Sequence, residues 1–161
     1  MKTPKRWKQI PIIAGFSIVL VAVIAYLDVL LVGGLFEINT ELGWEIFAHT
    51  IGPTWWKIWL VIFAAIGVTW YIVHRDWTES LGIFLFGGII VSTGLEDIIY
   101  FIISPQTMPA CMAYLNDIGF INFASKMLGE ACVSPTGLII NAIGGVILAI
   151  LTLVGLAYIE P

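Results

Sequence analysis

Four long apolar stretches dominate this chain and dictate its solvent. Ile10 to Phe36 is interrupted only by Asp28. Trp55 to Val73 carries Lys57 near its start, Ser80 to Ile103 carries Glu96 and Asp97, and residues 135–159 carry no charge. A helix needs ~20 mostly apolar residues to cross ~30 Å of hydrocarbon. Backbone N–H and C=O groups in lipid must be paired within the protein, so these stretches are expected as helices and not as strands. The expected fold is all-α and integral to a membrane: a four-helix transmembrane bundle forming one domain, residues 1–161. Its spans lie near 10–36, 55–73, 80–103 and 135–159, and its exterior segments, 37–54 and 104–134, have amphipathic character. Composition agrees, with 60% hydrophobic residues, 11% charged and a mean hydropathy of +1.00. Seven cations and eleven anions cannot coat a water-facing surface of this size, where a soluble domain carries about 25% charged residues. A water-soluble enzyme and a disordered chain are both excluded.

Local signals mark the helix starts. Asp76 followed by Glu79 reads as a capping box opening the third helix, and Ser134 reads as an N-cap with Pro135 in the first turn of the fourth. Lys2, Lys5, Arg6 and Lys8 precede the first span and Arg75 lies between the second and third, while Lys57 and Lys126 fall on the other side. The positive-inside rule then places both termini and the 2–3 turn in the cytoplasm, in a plasma or inner membrane, with 37–54 and 104–134 outside. Trp7, Trp70, Tyr71 and Trp77 fall at the inner interface, and Trp55, Trp56 and Tyr100 toward the outer one. The basic start could serve as a signal peptide, but the apolar run is long for an h-region and no small-x-small cleavage site follows. It is read as a retained span. Five acidic residues (Glu37, Glu41, Glu45, Asp117 and Glu130) lie in the exterior segments and argue against nucleic acid as a partner.

The two cysteines, Cys111 and Cys132, both fall in the second exterior segment. An oxidising exterior allows a disulfide to persist, and closing this loop stabilises it by roughly 3 kcal/mol on the chain-entropy model. No C-x-x-C pair is present, so a structural bridge is expected rather than thiol exchange. Between the cysteines, Tyr114, Ile118, Phe120, Ile121, Phe123, Met127 and Leu128 alternate with Asn116, Asp117, Asn122 and Lys126. That pattern suits an amphipathic helix on the outer surface, acting as a lid over the bundle or as a surface for lipid or a partner. In topology the chain resembles the DsbB family of quinone-linked disulfide oxidases. That family carries a further cysteine pair in its first exterior loop; residues 37–54 contain none, so the activity is not carried over.

In the first exterior segment, Asn39 or Thr40 can cap about three helical turns ending at Gly52-Pro53. Glu41, Glu45 and His49 then share one face. Carboxylates and imidazole at this spacing can hold a divalent metal, or they form the solvated side of a short interfacial helix.

Three carboxylates, Asp28, Glu96 and Asp97, sit inside the spans. Each costs about 2.5–3.5 kcal/mol to insert at mid-bilayer, and such residues often mark function. With alternating helix directions they share one depth with Lys57 and Asn141. In a continuous third helix, Ser92, Glu96 and Tyr100 form one stripe, and Thr93 and Asp97 an adjacent one. Two neighbouring carboxyls can share a proton and supply one acid and one base. The functional reading makes Glu96, Asp97 and Asp28 the catalytic groups, with Tyr100, Asn141 and Lys57 as binding residues. The structural alternative is an interhelical hydrogen-bond cluster, for example Asp28 with Lys57 and Glu96 with Tyr100. Paired glycines at 33–34, 87–88 and 144–145 allow close helix approach within the bundle or between copies.

The segment Gly94–Phe101 resembles the P-x-E-(E/D)-x-x-F-F signature of the small membrane lycopene cyclases. Glu96, Asp97 and Phe101 match, while Gly94 replaces the proline and Tyr100 the first phenylalanine. The resemblance covers eight of 161 residues and implies acid catalysis on an isoprenoid by the acid pair, without a redox cofactor. Three functions are therefore weighed. The first is an exterior-side polar pocket, taking a metal or a lipophilic isoprenoid- or quinone-like molecule for acid- or metal-assisted chemistry. The second is a non-catalytic subunit of a larger membrane complex, or of a homo-oligomer. The third is a small proton-coupled transporter, which the apolar inner halves of the spans disfavour.

Overall fold

A computed structural model describes residues 5–35, 52–116 and 120–159. A 3-10 turn, Lys5–Lys8, leads into α1 (Ile10–Leu35), and α2 covers Gly52–His74. The third span is divided into α3 (Trp77–Ser92) and α4 (Leu95–Ile103). A short α5 (Phe123–Met127) precedes α6 (Pro135–Tyr158). Among the described residues there is no strand, only the isolated antiparallel bridge Met112–Val133. Helices α1, α2 and α6 are each long and apolar enough to cross a bilayer, and α3 with α4 qualifies as a bent pair. The chain is an all-α integral membrane protein.

Both caps read from the sequence are present. Asp76 Oδ1 accepts from Thr78 N at 3.0 Å and from Glu79 N at 3.2 Å. The Glu79 carboxylate accepts from Trp70 Nε1 at 2.8 Å and so ties the end of α2 to the start of α3. Ser134 Oγ accepts from Gly137 N at 3.0 Å, with Pro135 at the first helical position, where its missing N–H costs nothing.

Helix α3 packs between α2 and α6, and α1 lies against α3, α4 and α6. Lipid tails are as apolar as leucine, so close van der Waals packing drives this association. Small residues allow it: the Phe63 ring occupies the space a Cβ on Gly87 would take, and the Thr93 side chain does the same at Gly145. One core, at mid-bundle and towards the 74–77 turn, is built on Phe63, Phe86, Ile83, Ile90 and Val21. A second, at the disulfide-loop end, is built on Tyr100, Phe101, Met112, Leu115, Val133 and Leu138.

The continuous helix expected from Ser80 to Ile103 is not what forms. The helix starts at Trp77 and bends by 65° between α3 and α4. The cause is local. Gly94 adopts φ +88°, a left-handed conformation that costs an L-residue about 1–2 kcal/mol. Thr93 turns its hydroxyl back onto Ile89 O at 2.8 Å, which favours bending. The bend diverts Thr93 O from the helical ladder, and Asn141 Nδ2 of α6 donates to it at 3.1 Å and to Phe120 O at 2.9 Å. The stripes Ser92–Glu96–Tyr100 and Thr93–Asp97 are therefore split, with their acidic members on the far side of the break.

Gly94→Ala is expected to destabilise the fold by about 1–2 kcal/mol, because its Cβ also meets the Leu138 side chain. Asn141→Leu is expected to cost about 1–3 kcal/mol by leaving the Thr93 carbonyl unpaired. Gly155→Ala, whose Cβ enters open space, serves as the neutral control. Denaturant midpoints in detergent micelles check all three.

Candidate functional site

The site begins on the buried face of α1, where Val21, Ile24, Ala25 and Asp28 turn inward in successive turns. Asp28 is only 4% exposed. Trp55 Nε1, from the first turns of α2, donates to Asp28 Oδ1 at 3.1 Å. The bend after α3 aims α4 at α1, and this brings the Glu96 carboxyl within hydrogen-bonding reach of Asp28. Asp97 lies beside them, within electrostatic range of both. Glu96 and Asp97 occupy the first turn of α4, where the helix dipole favours negative charge. Two carboxyls this close can share a proton and so supply an acid and a base together.

Aromatic side chains wall the centre. Trp59 sits one turn below Trp55, ring centroids 6.1 Å apart and edge to face. It is 6% exposed, and its Nε1 is one of two buried polar atoms among the described residues without a hydrogen-bond partner, the other being Ser17 Oγ. The indole N–H of Trp59 lies close to Asp28 without bonding to it. Tyr100, one turn along α4 from Glu96, is buried edge-on against Phe101 and shares a hydrogen bond with the Ser104 hydroxyl.

Of the residues expected at one depth, the structure brings Asp28, Glu96 and Asp97 together with Tyr100 close by. Asn141 instead supports the bend from α6. Lys57 is exposed, two residues beyond Trp55. Glu41, Glu45 and His49 lie outside the described residues. Among the described residues no three His, Cys, Asp or Glu side chains are grouped to hold a metal ion. Trp55, Trp59 and Tyr114 were not singled out from sequence as site residues. The spacing of Trp55 and Trp59, one helical turn apart at the depth of Asp28, is the signal that could have found the first two.

Residues 104–134 cover this end of the bundle. Cys111 and Cys132 form a disulfide with Cα atoms 5.6 Å apart, beside the Met112 N to Val133 O bond of 2.8 Å. Where an amphipathic helix was expected, the described residues form a 3-10 turn, Ala113–Leu115, and the five-residue α5. Two polar residues of that pattern, Asn116 and Asn122, are internal ties. Asn116 Oδ1 accepts from Val133 N at 3.2 Å, and Asn122 Nδ2 donates to Asn116 O. Ser125 Oγ accepts from Ser134 N at 3.2 Å. Met112, Leu115 and Ile121 are buried beneath, which is the lid arrangement. Tyr114 packs into the same core, and burial first, then the nearby Asp97 and Glu96 charges, hold its phenol well above the usual tyrosine range.

Comparison of the chain with protein-family models, with curated proteins and with solved structures returns no match.

Alkylation of native protein under non-reducing conditions should find no free thiol at Cys111 or Cys132, and a reductant should shift gel mobility. Because the folded Tyr114 is the weaker acid, its stabilising effect is complete below the ordinary tyrosine pKa of about 10 and is lost as pH rises past it. Tyr114→Phe should therefore flatten the alkaline loss of stability by up to about 1.4 kcal/mol per pH unit, read from denaturant midpoints in alkaline buffers.

Proposed function

We propose that this protein binds a lipophilic molecule at the Asp28–Glu96–Asp97 centre and exchanges protons with it, at the exterior side of the membrane. The observation that carries this reading is the broken third span. Its bend falls directly before the acid pair, and without it Glu96 would not meet Asp28. Membrane helices stay continuous unless the interruption is stabilised, and discontinuous helices in transporters bring half-helix ends to a binding site. Intramembrane carboxyls point the same way.

In this mechanism the protonated member of the Asp28–Glu96 pair gives its proton to the bound molecule, and the ionised member or Asp97 receives one from it. Trp55 fixes the Asp28 carboxyl through the bond to Oδ1. The unpartnered Trp59 N–H offers a hydrogen bond to an oxygen of the molecule, a hydroxyl or a carbonyl. Tyr100 and Phe101 supply an apolar wall that strengthens each of these electrostatic interactions. The resemblance of Gly94–Phe101 to the lycopene cyclase signature supports an isoprenoid as the molecule. The distribution of lysine and arginine and the disulfide support an exterior location.

Solvent extraction of gently purified protein, followed by mass spectrometry, is expected to return one retained lipophile in stoichiometric amount. Glu96→Gln keeps the shape of the site and is expected to lower turnover of that molecule by about 10²–10⁴-fold, the usual worth of a positioned acid or base. Folded yield should be unchanged. No retained molecule, together with a Glu96→Gln protein that fails to accumulate, would show the carboxyls to be structural glue.

A further inference from the structure

A cavity lies beside α3, lined by none of the acid centre's carboxyls. It has a volume of about 780 Å³ and is bounded by Leu60 of α2, Gly88 of α3, and Ile140 and Gly144 of α6. Asp28, Glu96 and Asp97 are not among its lining residues. Helix α5 closes it at the disulfide-loop end with Phe123 and Met127, which are 59% and 74% exposed. Its polar lining residues, Ser92, Thr93 and Asn141, belong to the bend and to the first half of α6, near that closed end. Ile140, Ile143, Ile147 and Leu148 are exposed on the same helix, so the cavity runs directly into the lipid-facing surface of the protein.

We infer that this cavity holds one hydrocarbon chain of an anionic bilayer phospholipid, with the phosphate of that lipid at Lys126. Two observations select this occupant. The cavity is continuous with the surface that already contacts the bilayer, so a lipid chain enters sideways without crossing a polar barrier. A spanning helix from a second copy needs ~30 Å of clear length, and α5 blocks one end; a lipid chain needs no such passage. The second observation is charge. Lys126 stands on α5 among the residues that line the cavity, Phe123, Ala124, Met127 and Leu128, without lining it itself, and its long side chain is free to reach the interface at the cavity's rim. It is exposed and makes no ion pair with any described residue. A phosphate headgroup at the interface complements it.

The glycines of the molecule provide a clean test. Gly144 lines the cavity, and a Cβ there meets nothing within 4 Å; Gly155 is equally open but lies outside it. Gly144→Leu therefore fills the cavity without a clash, and Gly155→Leu is its control. The full chain is reconstituted in vesicles of phosphatidylcholine and phosphatidylglycerol containing a phosphatidylglycerol with a photoreactive diazirine in its acyl chain. Labelled peptides are then mapped after illumination. Labelling should concentrate on α5 and on α6 around Ile140–Leu148, fall to the level of the exposed Val19 and Val61 surfaces in Gly144→Leu, and persist in Gly155→Leu. Lys126→Gln should lose about fivefold in preference for the phosphatidylglycerol probe over its phosphatidylcholine counterpart, the worth of one lysine at an anionic surface. Uniform labelling of all lipid-facing helices, or labelling that Gly144→Leu leaves unchanged, would overturn the proposal. So would a change of oligomeric state in Gly144→Leu, which would assign the cavity to a second copy of the chain. None of these readouts depends on the acid centre, so this proposal and the proposed function stand or fall separately.

Discussion

Hydrocarbon offers nothing that can accept or donate a hydrogen bond, and the bend at Gly94 exists only because the protein supplies what lipid cannot. An interrupted ladder inside a bilayer leaves a carbonyl exposed at a cost of several kcal/mol. Here the Asn141 amide meets Thr93 O and also reaches Phe120 O, joining α6, the bend and the lid through one side chain. Gly145 lets α6 approach closely enough to do so, since a Cβ there would meet the Thr93 side chain. Gly94 tolerates the positive φ. Three residue choices on two helices therefore act as one device, and the direction of α4 depends on it.

That direction explains why three carboxyls can share one region of a bundle with so few charges. A straight third helix would keep Glu96 and Asp97 on the axis of α3, packed between α2 and α6. Turned by 65°, α4 lies against α1 instead and delivers Glu96 to Asp28. The Trp55 indole offsets part of the cost of inserting Asp28, and the lid packs its apolar residues against Tyr100 and Phe101 at this end of the bundle. Aromatic side chains serve the same end: Trp55 donates to Asp28, and the Trp59 N–H lies close to the same carboxylate.

Much of the architecture was legible in the sequence because hydropathy and capping are local properties. The spans, the N-caps at Asp76 and Ser134 and the Cys111–Cys132 bridge all follow from residue type and spacing. The bend did not follow, for a physical reason. Gly94 lies in an apolar window, and hydropathy is blind to the sign of φ. Ser92-Thr93-Gly94 is a local hint, but it decides nothing until Asn141, 48 residues from Thr93 in the chain, is seen to satisfy the freed carbonyl. Asn141 was read as a member of a polar layer that binds a ligand; its hydrogen-bond partners in the fold are both backbone oxygens. The same blindness to tertiary pairing hid Trp55, which read as an interfacial tryptophan, and Trp59, which drew no reading, until α1 is packed beside them. In the lid, Asn116 and Asn122 looked solvated because asparagine usually is, and only the fold reveals the carbonyls and amides they serve.

The lipid-facing cavity and the acid centre meet at the bend. Thr93 and Asn141 line the lipid-facing cavity and also carry the hydrogen bond that holds α4 in place. Whatever fills that cavity presses on the side chains that set the position of Glu96, across the thickness of a single helix. Packed interiors respond to such pressure by switching between discrete arrangements rather than by deforming smoothly. If the cavity and the acid centre act as proposed, the bend is where the surrounding bilayer bears on the carboxyls, through Thr93, Asn141 and one carbonyl.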